Sequence, residues 1–113
     1  MAPWLNLESI EQLDSIVDSS ASKPTIIFKH STSCPISSIA KLRLDEQWDV
    51  SEDVDLYYLD LIKFRNVSNE IAEKFEIVHE SPQVLVIKDG RCVYDVSHMD
   101  INIQEVKDGL LEN

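Results

Sequence analysis

Cys34-Pro35-Ile36-Ser37 sets a thiol directly before a proline, with a hydroxyl three residues on. Proline suits the first position of a helix, because its fixed φ fits the turn and its missing N–H would be unpaired there anyway. The cysteine is then expected at or next to the N-cap, where free backbone N–H groups and the positive end of the macrodipole favour an anion. A thiolate is that anion. Such surroundings lower a cysteine pKa from about 8.5 into a range of roughly 3.5 to 7.5, so a sulfur nucleophile is available at neutral pH. The competing reading is a small buried cysteine, since free cysteine is among the most buried residue types. The polar run His30-Ser31-Thr32-Ser33 before it, and a strand opened by Pro82 further on, favour the reactive reading.

The elements that must position this thiol follow from periodicity. Leu7, Ile10, Leu13 and Val17 predict a helix from Leu7 to Ser20. Ile26 to Lys29 reads as a short central strand buried on both faces. Ile36 to Trp48 reads as a second helix, with Ile36, Ala40, Leu44 and Trp48 as its inner stripe. A β-rich strand from Asp55 to Leu61 and a helix from Asn66 to Glu76, with Val67, Ile71 and Phe75 inward, come next. Val84 to Ile87 is an apolar strand that Asp89-Gly90 turns back into Cys92 to Val96 as a hairpin. Asn102 to Leu111 closes as a helix, with Asn102 and Glu105 at capping-box spacing. Trp4-Leu5 is placed as a brief edge strand. The order α-β-α-β-α-β-β-α predicts one α/β domain spanning 1–113, a mixed sheet of four to five strands with helices on both faces.

Composition narrows the partners. A net charge of −11 argues against nucleic acid and anionic membranes, since phosphate contacts need clustered Lys and Arg. Locally the balance differs: from Pro24 to Arg43 there is no acidic residue, while Lys29, Lys41 and Arg43 are basic, which predicts a mildly electropositive island around Cys34. Met1-Ala2-Pro3-Trp4-Leu5 lacks the basic start and apolar run of a signal peptide, and the longest apolar stretches are strand-length. With two cysteines far apart and no disulfide framework, the expected compartment is a reducing cytoplasm. The cysteines and histidines form no zinc-spaced cluster, so no metal is expected.

The element order, Cys-x-x-Ser after the first long strand and a proline opening the strand after the third helix resemble the thioredoxin fold, a three-layer α/β architecture. More narrowly, Lys29-His30-Ser31-Thr32-Ser33-Cys34-Pro35-Ile36-Ser37 together with His79-Glu80-Ser81-Pro82-Gln83 resembles the monothiol bacilliredoxins. The resemblance implies a thiol–disulfide oxidoreductase with no bound cofactor and with bacillithiol as thiol co-substrate. Its partners would be bacillithiolated client proteins, the low-molecular-weight thiol, and a regenerating thiol or reductase. Thioredoxin's second active-site cysteine is replaced here by Ser37, so a mixed disulfide cannot be resolved within the motif and a monothiol cycle is implied.

The resemblance makes Cys34 the nucleophile, Ser37 a hydroxyl donor to its thiolate and Pro82 the family's cis-proline. Ser81 and Gln83 would offer backbone groups to the substrate. Thr32, Ser33 and Pro35 would line the ligand groove. Lys29 and His30 would meet the carboxylates of bacillithiol's malyl group, and a nearby His30 would stabilise the thiolate. Competing readings remain for several: Lys29 snorkelling to solvent, His30 packed in the core, Pro82 a trans residue starting a strand. His79 and His98 have no partner recognisable in sequence. Alternatives for the whole protein are a glutathione-using glutaredoxin, an iron–sulfur carrier, which would need a Cys-Gly-Phe-Ser string absent here, and a redox-inactive binding module.

Overall fold

The computed structural model describes residues 4–31, 33, 35–50 and 53–112. Among them, five strands form one sheet, β1 (Leu5–Asn6), β2 (Thr25–His30), β3 (Asp55–Asp60), β4 (Gln83–Lys88) and β5 (Arg91–Ser97). Their spatial order is β1-β3-β2-β4-β5. The helices are α1 (Ile10–Ser19), α2 (Pro35–Gln47), α3 (Arg65–Lys74) and α4 (Ile103–Leu110), with a 3₁₀ turn at His98–Asp100. β2 runs parallel to β3 and antiparallel to β4, and β4 and β5 form an antiparallel hairpin, so the sheet is mixed.

β2 is the middle strand, and all six of its residues are buried. The two-residue alternation of a strand divides its side chains between two cores. Ile26 and Phe28 meet Ala40 and Leu44 of α2 and Val106 and Leu110 of α4. Ile27 meets Leu13 and Ile16 of α1 and Val67, Ile71 and Phe75 of α3 on the other face. Lys29 shares the parity of Ile27, so the chain carries an ammonium into an otherwise apolar layer.

Three details differ from the sequence expectation. The first helix starts at Ile10, because Leu5 and Asn6 pair with Tyr57 and Tyr58 and the Ser9 hydroxyl caps Gln12 N–H. Along α2 the buried positions are Ser37, Ala40 and Leu44, while Ile36 is 43% exposed. A spacing of three then four follows the 3.6-residue turn more closely than the steady four-residue stripe expected, which rotates Ser37 inward in place of Ile36. The capping box on α4 is half made: Asn102 accepts from Glu105 N–H, but the Glu105 carboxylate accepts from the Tyr94 hydroxyl instead of returning to the cap. The Asp89-Gly90 turn is as expected, both residues having positive φ (52° and 74°), the geometry that matches a tight hairpin to strand twist.

Candidate active site

Two loops come together at one end of the central strands. The first leaves β2 after His30 and enters α2 at Pro35, whose first turn carries no acidic residue. Ser31 is buried, and its hydroxyl lies 3.1 Å from that of the exposed Ser33. Pro35 is exposed at the helix start. Cys34 and Thr32, the expected nucleophile and one expected groove residue, lie outside the described residues. One turn into α2, Ser37 is fully buried, and its Oγ has no hydrogen-bond partner among the described residues. A buried hydroxyl without a partner loses free energy unless something at the helix start receives it.

The second loop leads from α3 into β4. The Ser81–Pro82 bond is cis. Gln83 pairs with Lys29 across the β2–β4 ladder, which sets Pro82 level with the exit of β2. Both Pro82 and Gln83 are buried. The Gln83 amide holds the loop from within, donating to the Val78 carbonyl (3.1 Å) and accepting from Glu80 N–H (3.4 Å). From the other side His98 N–H donates to the Pro82 carbonyl (2.9 Å), and His98 Nε2–H donates to Glu80 (2.7 Å). Ser81 Oγ is buried with no partner among the described residues.

Lys29 neither snorkels nor offers its ammonium to solvent. It is 0% exposed, and its Nζ donates to Nδ1 of His79 at 2.7 Å. Burial lowers its pKa from 10.5 to about 8, and the Glu80 carboxylate pulls the other way. His30 is 4% exposed and packs edge-on to the Phe28 ring (5.7 Å) and tilted against the Tyr58 ring (5.3 Å). Burial, then the Lys41 charge, lowers its pKa, with the Ser37 backbone and Asp60 opposing. Burial and the Lys41 charge thus favour the neutral ring. It lines a cleft of about 230 Å³ with Ser38, Lys41, Leu42 and Asp45.

The electropositive island also changes on folding. Lys41 pairs with Asp45 at 2.8 Å, Arg43 donates to the carbonyls of Met99 (3.3 Å) and Ile101 (3.2 Å), and Lys29 is buried. These cations are committed to structure. Sequence reasoning missed the Lys29–His79 and Glu80–His98 pairs. The strings containing His79 and Glu80 were in view, but their partners lie 50 and 18 residues away and only the sheet brings them close.

A central strand feeding a proline-opened helix, beside a cis-proline that opens an antiparallel strand, defines the protein as a thioredoxin-fold thiol–disulfide oxidoreductase. The chain belongs to the monothiol bacilliredoxin family: the sequence model described as "Monothiol bacilliredoxin BrxC" matches residues 5–106. A solved structure described as a candidate oxidoreductase with a thioredoxin fold is 33% identical, with a TM-score of 0.79 over 94% of this chain and 92% of that one. The Malassezia sympodialis thioredoxin, 13% identical, has a TM-score of 0.75 over 97% of this chain and 90% of its own. Thioredoxin NaTrxh of Nicotiana alata, 19% identical, has a TM-score of 0.74 over 98% and 94%. These two share the fold. No helix among the described residues is long and apolar enough to cross a membrane.

Proposed function

We propose that residues 1–113 act as one domain that removes bacillithiol from mixed disulfides on client proteins in a reducing cytoplasm. The Cys34 thiolate attacks the bacillithiol sulfur of the mixed disulfide, the S–S bond breaks, and the client sulfur leaves as a thiolate that takes up a proton. Cys34 now carries the bacillithiol as a new disulfide. A second thiolate, from free bacillithiol or a partner protein, attacks the bacillithiol sulfur of that disulfide and returns Cys34 to its reduced form, so each turnover exchanges disulfides with no net loss of electrons. Ser37 donates its hydroxyl to the thiolate, Ser81 and Gln83 offer backbone groups to the substrate beside Pro82, and Thr32, Ser33 and Pro35 border the thiol. Lys29 reaches the loop before Pro82 through His79, and His30 lines the cleft beside α2.

The observation that carries this reading is the family match over residues 5–106, taken with Ser37 where a resolving thiol would stand. The test is a client protein bearing a bacillithiol mixed disulfide, incubated with the reduced enzyme. Release of the client thiol by the wild type and not by Cys34→Ala supports the reading. Release from a glutathionylated client alone would replace bacillithiol by glutathione, and release from neither would leave a binding module.

A further inference from the structure

The Lys29–His79 contact fixes more than a loop. An ammonium has three donors and no acceptor, so the nitrogen it meets at 2.7 Å must be an unprotonated ring nitrogen. Nδ1 of His79 is that nitrogen, and the neutral ring then carries its proton on Nε2. His79 is exposed, two residues before Ser81 in the loop that enters β4, and Nε2 has no hydrogen-bond partner among the described residues. The outward face of the ring is therefore a single, oriented N–H donor on the loop that leads to the cis-proline. Behind it stands a fully buried positive charge that water does not screen.

The charges around the ring keep it in that state. The partial burial of the ring disfavours a second proton on it, and the charges of Lys29 from β2 and Arg65 from α3 add to that. Among the described residues Glu80 is the acid that favours charging His79, and its carboxylate is held by His98 from the 3₁₀ turn. A neutral donor backed by a cation is suited to an anionic acceptor, and it spares the ligand the cost of reaching a buried ammonium.

We propose that His79 is a specificity-determining residue, its Nε2–H donating to a carboxylate of the acidic low-molecular-weight thiol while Lys29 holds the ring in the donor tautomer. This rests on the reading that the substrate is such a thiol. It assigns Lys29 an indirect part: the lysine acts through His79 and touches no ligand.

Two measurements test it on the full chain. Long-range ¹H–¹⁵N spectra of His79 should show the Nε2–H tautomer from about pH 6 to about pH 7, where Lys29 is charged, with a shift toward the tautomer mixture of free histidine in Lys29→Met. A ring protonated on Nδ1 in the wild type overturns the proposal. KM is then measured for bacillithiol disulfide, glutathione disulfide and the neutral hydroxyethyl disulfide. In His79→Leu the ratio of KM for the preferred acidic disulfide to KM for the neutral one should rise about tenfold or more, the loss of one hydrogen bond to a charged group. His79→Gln, whose amide N–H reaches the Nε2 position, should restore most of that ratio. An unchanged ratio in His79→Leu overturns the proposal, including the case where all three KM values rise together because the loop is disturbed. A wild type that turns over only hydroxyethyl disulfide overturns the acidic-thiol reading, and this inference with it.

Discussion

Cys92 stands opposite Ile87 in the β4–β5 ladder, and Ile87 stands opposite Thr25 at the entry of β2. The second cysteine is thus level with the end of the sheet remote from the β2 exit, where the active-site helix begins. A strand of this length covers about 16 Å at roughly 3.3 Å per residue, and a disulfide needs Cα atoms about 4.4–6.8 Å apart. Cys92 packs against the core layer of Ile27 and Leu85, its Sγ donates to the Tyr94 carbonyl at 3.3 Å, and burial pushes its pKa up to about 11.

Cys92→Ala should therefore retain full exchange activity. At pH 8 only about a thousandth of a thiol with such a pKa is ionised, so Cys92 should alkylate far more slowly than a model cysteine of pKa about 8.5. Iodoacetamide labelling of the folded protein followed by peptide mapping reads this directly, and rapid labelling of Cys92 would contradict it.

Gly109 on α4 is packed where no side chain fits. A Cβ there would lie 2.6 Å from Tyr94 Cδ2 and 2.9 Å from Val86 Cγ2. Val86 is fully buried, and the Tyr94 hydroxyl is tied to Glu105 on the same helix, so neither gives way freely. Gly109→Ala should destabilise the fold by about 1–3 kcal/mol through overpacking, outweighing the gain of up to about 1 kcal/mol that alanine brings to a helix. Calorimetry should show a Tm lower by several degrees; a raised Tm would mean that α4 can shift off the sheet.

Lys29 carries a stability cost with a defined pH window. Its pKa is about 8 in the folded protein against 10.5 when exposed, so between those values the unfolded chain binds more protons and stability rises with pH. Below about pH 8 the full penalty of burying the charge applies, on the order of 3 kcal/mol at most. Lys29→Met, similar in volume and apolar, should raise Tm at neutral pH, and its advantage should shrink as pH rises through this window. An advantage that is constant from neutral pH to above 10.5 would refute the buried-charge account.

Ser37→Ala removes a hydroxyl that has no partner among the described residues. If that hydroxyl serves the Cys34 thiolate, its loss should raise the midpoint of Cys34 alkylation by about one pH unit or more, the value of a hydrogen bond to a charged group. The rate of iodoacetamide modification against pH measures the midpoint, and an unmoved midpoint assigns Ser37 to packing alone.

The fold was legible because its signals are local. The apolar run at Ile26 to Phe28, the Asp89-Gly90 turn, the Asn102 cap and the Val67–Ile71–Phe75 stripe each act within a few residues. The site was legible in its residue types and less so in their roles. Lys29 and His30 stood out as cations beside a thiol, but strand parity carries one into the α1–α3 layer and aromatic neighbours enclose the other. Burial then lowers the pKa of both: Lys29 keeps its proton below about pH 8, while His30 is pushed further toward the neutral ring. His79 had no signal in sequence, because its meaning comes from a contact across 50 residues.

The central claim is that Cys34 alone carries the thiol chemistry. The most direct measurement is mass spectrometry of the folded protein after exposure to bacillithiol disulfide, on the wild type, Cys34→Ala and Cys92→Ala, with adducts mapped to peptides. The expected result is a single bacillithiol on Cys34 in the wild type and in Cys92→Ala, and none in Cys34→Ala. An adduct on Cys92, an intramolecular Cys34–Cys92 disulfide in the folded monomer, or no adduct on either cysteine would contradict the claim.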